Sequence, residues 1–153
     1  MTNSDVLSLI NNGILDITSY SLDAKGSYSV MKFRNAIKKQ LNTIVELENG
    51  ILKELGVKDA ANINNKIKEL EAKDKTPEEL EEYNNLQEQA KKFNSTRGEM
   101  LAEKVEITGF TLLNYEQWYN LRKENHPQDS SKPDPLNNYF EDILEGILWK
   151  ADE

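Results

Sequence analysis

Cysteine is absent from the 153 residues, so no disulfide and no thiolate metal site can be built. There is one histidine, His126, which rules out an HExxH-type metal motif. No apolar run approaches the roughly 18 residues of a membrane span. A positively charged leader is missing too. Asp5 stands where a signal peptide would be basic, and Val6, Leu7, Leu9 and Ile10 are interrupted by Asn11, Asn12 and Gly13. A cytoplasmic location is expected. Positive charge is in short supply: 19 Lys and Arg against 27 Asp and Glu give a formal charge of −8. That argues against direct nucleic-acid binding, which needs a basic face. It leaves room for a basic protein partner.

What is present is helical periodicity on a polar background, with a mean hydropathy of −0.73 and 30% charged residues. The length suits one domain with a real core. Val30, Ile37, Ile44 and Ile51 recur at a seven-residue spacing, flanked by Phe33, Leu41, Leu47 and Leu55. β-branched residues at every seventh place beside larger ones make a coiled-coil-like seam. Thr76-Pro77-Glu78-Glu79 is a capping box with proline at the first helical position. The carboxylates of Glu78, Glu79, Glu81 and Glu82 sit where the helix dipole favours negative charge.

The spacing therefore predicts a mainly α fold: a long antiparallel helical hairpin, coiled-coil-like, with short flanking helices and one or two short β-strands. A single domain over 1–153 would hold an N-terminal helix and loop (1–27), a long helix (28–56), a short helix (59–73) and a capped helix (76–98). A short strand region (103–113) and C-terminal helices (114–124 and 136–149) complete it. Ser4 is the expected cap of the first helix, Ser27 of the long helix, Asp59 of the third, and Asn114 of the helix bearing Tyr115. Gly13, Gly56 and Gly98 are expected stops or kinks. Val105-Glu106-Ile107-Thr108 alternates and reads as strand. Residues 125–135 hold three prolines and read as loop.

No catalytic constellation stands out. His126 lacks a partner of ligand spacing and reads as a loop residue. The acidic run of the capped helix is explained by capping and the dipole. Lys25-Gly26-Ser27 lacks the upstream glycine of a phosphate loop and reads as a cap. Lys32, Arg34, Lys38 and Lys39 read as a solvated basic face, set against Glu81 and Glu82 across the hairpin. An enzyme is not expected, and neither a metal nor a cofactor is implied.

Two features point to recognition. Aromatic residues concentrate near the C-terminus, and Tyr115, Trp118, Tyr119, Tyr139 and Trp149 form a candidate partner surface, competing with a core role. The seam of Ile37, Ile44 and Ile51 is a candidate for self-association. The expected function is a non-enzymatic protein-binding or assembly module with a protein partner and the option of a homo-oligomer. The alternative is an acidic decoy that inhibits a host protein by occupying its nucleic-acid-binding surface. Lysines interleave with the carboxylates, as Glu71 with Lys75 and Glu88 with Lys92, which suits ordinary helix support.

The order of pieces also resembles a family of small uncharacterised phage and prophage proteins encoded among virion structural and assembly genes. The resemblance lies in Ser21-Leu-Asp-Ala-Lys-Gly-Ser27 before a helix opening Tyr28-Ser-Val-Met-Lys-Phe-Arg-Asn35. It continues in Glu103-Lys-Val-Glu-Ile107 and Tyr139-Phe-Glu-Asp-Ile-Leu-Glu-Gly-Ile-Leu-Trp149. The stretches 57–75 and 125–135 are longer than that pattern. The resemblance implies phage or prophage origin and a phage or host protein as partner. It supplies no functional residues.

Overall fold

The computed structural model describes residues 1–152. Six α-helices account for most of them: α1 (Asn3–Asn11), α2 (Ala24–Glu54), α3 (Ala60–Glu71), α4 (Pro77–Ala102), α5 (Tyr115–Asn125) and α6 (Asn138–Leu144), with a 3-10 turn at Ile14–Asp16. The fold is mainly α. The contacts group into two compact units, Met1–Asn42 with Glu103–Glu153, and Thr43–Ala102. Helix α2 gives its first part to one unit and its last part to the other.

In the first unit, α1 is capped by Thr2 rather than Ser4. Asp5 N–H donates to Thr2 Oγ1 at 3.2 Å and Thr2 N–H to Asp5 Oδ2 at 2.8 Å, a reciprocal box that Ser4 has no acidic partner to form. Asp23 caps α2 in place of Ser27: Gly26 N–H donates to Asp23 Oδ1 at 2.8 Å. A carboxylate suits the positive end of a long helix, and Ala24 and Lys25 are good helix formers, so the helix starts earlier. Ser27 Oγ donates instead to the Ser19 carbonyl at 2.8 Å.

Val30, Phe33 and Ile37 of α2 are buried in this unit, as are Trp118, Leu121 and Phe140. The two indoles of Trp118 and Trp149 stack at 5.5 Å, 6° from parallel. The predicted C-terminal helix stops at Leu144. Glu145 is extended and Gly146 turns the chain at φ 79°, which L-residues with a Cβ avoid. That turn lets Leu113 N–H donate to Leu148 O at 2.8 Å and Lys150 N–H to Leu113 O at 3.0 Å. The expected strand at 105–108 does not form. Among the described residues the β-pairs are isolated bridges, Thr2 with Lys104 and Trp149 with Leu113 and Glu145. The chain after Thr2 winds at once into α1, so no neighbouring segment stays extended beside residues 105–108.

In the second unit, α2 closes with the two bonds of a Schellman cap, Gly56 N–H to Lys53 O at 3.1 Å and Val57 N–H to Leu52 O at 2.9 Å, around Gly56 at φ 70°. Asp59 caps α3, and Thr76 caps α4 through the expected box with Glu79. Helix α4 folds back antiparallel on the end of α2. Arg97 Nε pairs with Glu48 Oε1 at 2.8 Å and Gln89 Nε2 donates to Leu55 O at 3.2 Å. The hairpin is thus present, though shorter than expected. Leu55 lies against Gln89, so residues 77–86 run past the end of α2 and pack on α3, where Tyr83 Oη donates to Glu71 Oε1 at 3.0 Å. Gly98 does not end α4, which continues to Ala102. One interior glycine costs a helix about 1 kcal/mol, too little to break it.

Candidate protein-recognition surface

The five aromatic residues singled out from sequence fall into two groups. Trp118 is fully buried and Trp149 nearly so, at 0% and 6% exposure. They are core, which corrects their placement on a partner surface. The reason is a shared anchor. Glu141 accepts Trp118 Nε1–H on its carboxylate at 3.1 Å and Trp149 Nε1–H on its carbonyl at 3.0 Å, so both indoles are buried with their polar atoms satisfied. The other Glu141 oxygen pairs with Arg122 at 3.0 Å, and Arg122 donates to Asn138 Oδ1 at 2.9 Å. One arginine thereby ties α5 to α6.

Tyr115, Tyr119 and Tyr139 face solvent at 49%, 56% and 63% exposure. Tyr115 and Tyr119 are four apart on α5 and share its outer face. The Tyr115 ring meets Trp149 edge-on at 6.1 Å, and the Tyr139 ring meets Phe140 at 5.3 Å. These contacts hold two of the exposed rings against the core. A shallow depression of about 400 Å³ beside Tyr119 is lined by Arg122, Lys123, His126 and Asp134. His126 Nδ1 lies 3.2 Å from Asp134 Oδ2, so the expected lone loop histidine has a carboxylate neighbour. Exposed tyrosines beside an arginine and a lysine are the side chains that anchor protein interfaces.

Ile37 and Ile44, expected as a self-association seam, are buried within the chain, and Ile51 is half-covered. The seven-residue repeat is spent on the chain's own packing, which corrects that expectation. The acidic start of α4 is partly consumed as well. Glu79 pairs with Lys73 and closes the Thr76 box. Its carboxyl is held below the ordinary range by the Lys73 hydrogen bond first and the Thr76 backbone N–H next. Lys73 is raised by the same bond.

Two features were not read from the sequence. Glu124 on α5 grips the loop after the 3-10 turn. It accepts from Thr18 Oγ1 at 2.5 Å, Tyr20 N–H at 3.0 Å and Ser21 N–H at 2.6 Å. Burial works against its charge, but these bonds outweigh it and hold the carboxyl below its usual value. The second feature is a groove of about 610 Å³ between the first turns of α2 and segment 109–113, which bends at Gly109 and Phe110. At its rim, a Cβ on Gly26 would stand 3.1 Å from Gln117 Nε2, Asp23 Oδ1 and Leu22 Cβ, so a larger residue there would push these side chains by a few tenths of an ångström.

Among the described residues no cluster of three or more histidine, aspartate and glutamate side chains has the arrangement to hold a metal ion, and no helix is long and apolar enough to cross a membrane. The chain matches no protein-family model, no curated protein and no solved structure.

Proposed function

We propose that this chain is a non-enzymatic protein-binding module that recognises its partner through the outer face of α5 together with Tyr139 of α6. The observation that carries the reading is the split of the aromatic residues. The tryptophans fill the core, while three tyrosines stand at half exposure or more on elements fixed by that core. Rigid aromatic side chains give contact area at low entropic cost, and a hot-spot residue of this kind contributes about 2 kcal/mol or more to binding. Phage or prophage origin, implied by the resemblance alone, makes the partner a phage or host protein. Ile37 and Ile44 are buried within the chain and offer no seam for self-association.

The test is a comparison of the immobilised chain with a variant carrying Tyr115→Ser, Tyr119→Ser and Tyr139→Ser. The reading expects a protein captured from cell extract by the first and lost by the second, with the variant still folded cooperatively and its melting temperature lowered only by the loss of the Tyr115–Trp149 and Tyr139–Phe140 ring contacts. Equal capture by both would remove this surface from the proposal.

A further inference from the structure

We infer that the chain associates with itself, the cationic outer face of α2 in one copy receiving the acidic face of α4 in another. This contact shares no residue with the tyrosines of α5 and α6.

The two segments are opposite in sign, and each is of one sign only. From Ala24 to Val45, α2 carries Lys25, Lys32, Arg34, Lys38 and Lys39 and no acid. From Thr76 to Ala90, the chain carries Glu78, Glu79, Glu81, Glu82 and Glu88 and no lysine or arginine. None of the ion pairs among the described residues includes Arg34, Lys38, Glu81 or Glu88. A fully solvated lysine or glutamate needs no partner, but Arg34 is half-buried. Its Nε is sealed from solvent without a hydrogen-bond partner, the one side-chain nitrogen or oxygen in that state among the described residues. Its Nη atoms bond to nothing in the chain and are not sealed. A guanidinium partly withdrawn from water costs free energy until a carboxylate answers it. The open Nη end admits one from outside the chain.

The spacing picks out the carboxylates. Met31, Arg34 and Lys38 follow one another at three and four residues and share a stripe of α2, with Met31 at 46% exposure. On α4, Leu80, Asn84 and Glu88 form a ridge of four-residue steps with Glu81 beside it, and Leu80 is 49% exposed. Two such helices laid side by side and parallel set Met31 against Leu80. From that contact Arg34 lies about 4.5 Å along its helix and Glu81 about 1.5 Å along the other, while Lys38 lies about 10.5 Å and Glu88 about 12 Å along. Both offsets are within the reach of long basic side chains. One apolar contact and two ion pairs therefore form together. Exposed pairs are weak and screened by salt, so the association is weak and strongest at low ionic strength. The net charge of −8 on each copy opposes any association that is not locally paired. Attraction that grows as salt is lowered is thus a mark of opposite charges meeting.

Sedimentation equilibrium of the full chain tests this. The mean mass should rise above 17.6 kDa with protein concentration at about 20 mM salt, and return to it at about 500 mM. Two charge-reversed chains sharpen the test: Arg34→Glu with Lys38→Glu, and Glu81→Lys with Glu88→Lys. Each, shown to be folded by circular dichroism, should associate at least about tenfold more weakly than the parent. An equal mixture of the two should recover association to within about threefold, because the reversed faces complement each other. The triple tyrosine variant should associate as the parent does, so failure of the α5 surface and failure of this contact are read separately. The parent's salt dependence needs no variant, and a mass of 17.6 kDa at every concentration, or association that strengthens with salt, would overturn the inference. So would a folded reversal that associates as the parent does, or a mixture of folded reversals that stays monomeric. A duplex oligonucleotide that binds a monomeric parent, and is lost with Arg34→Glu and Lys38→Glu, would give the α2 face to nucleic acid instead.

Discussion

The two compact units are built by different physics. The first buries two stacked indoles and ties them with Glu141 and Arg122. The second contains two aromatic residues, Tyr83 and Phe93, and neither is buried. Its fully covered apolar side chains are few, Ile44, Ile63 and Met100 among them, while Val45, Leu47 and Leu80 stay exposed. Helix-end chemistry is common to both: a Schellman cap, an aspartate cap and a capping box in the second, and caps at Thr2, Asp23, Asn114 and Asn137 in the first. The difference lies in burial, and with less of it the second unit depends on its caps for a larger share of its stability. A unit with sparse burial opens at lower free energy than a densely packed one. Hydrogen exchange should therefore be faster in α3 and the first turns of α4 than in α5.

The largest expected effect breaks the first unit. Trp118→Ala removes a fully buried ring, its stack on Trp149 and a bond to Glu141, and should cost about 3–5 kcal/mol. Chemical denaturation followed by near-ultraviolet circular dichroism reads it directly. A cost below about 1 kcal/mol would mean the indole stack is not the centre of that unit. Next is Glu124→Gln, which weakens the clasp on Thr18, Tyr20 and Ser21. After allowance for solvent screening at this partly exposed carboxylate the cost is about 1–2 kcal/mol. The folded chain holds that carboxyl's proton less tightly than the unfolded chain does. Its contribution is therefore complete above the ordinary glutamate value near ~4.3 and is lost as pH falls through the lowered folded value. The difference between parent and Glu124→Gln should shrink on acidification. A difference independent of pH would show that the charge does not hold the loop.

In the second unit the comparable device is the box at Thr76. Thr76→Ala should cost about 1 kcal/mol. Hydrogen exchange should speed up in the first turns of α4 and leave α5 unchanged. Acceleration in both would contradict the division of the chain into separately stabilised units.

The same contrast explains what was legible in the sequence. Asp59, Thr76, Asn114 and Gly56 were readable because a cap and its helix lie within a few residues of each other. Ser4 and Ser27 lost to Thr2 and Asp23, since in each case a carboxylate nearby supplied a stronger local partner. The seven-residue repeat marked the buried face of α2 but not what covers it. Residues 30–37 meet the C-terminal part of the chain through contacts such as Phe33 with Phe110, a pairing far apart in sequence. The groove and the Glu124 clasp were invisible for the same reason. Their partners are about a hundred residues away, and no periodicity encodes them.

The smallest expected effect is the most discriminating for recognition. Trp118 and Tyr119 are consecutive on α5, one at 0% exposure and the other at 56%. Tyr119→Ala removes a ring that makes no hydrogen bond or ring contact among the described residues. Its stability cost should be within about 0.5 kcal/mol, as for most surface substitutions, against several for its neighbour. A tyrosine that adds nothing to folding is free to be selected for contact with something else. A cost near 2 kcal/mol would place Tyr119 among the groups that hold the first unit together, and would take from the α5 face the residue at its centre.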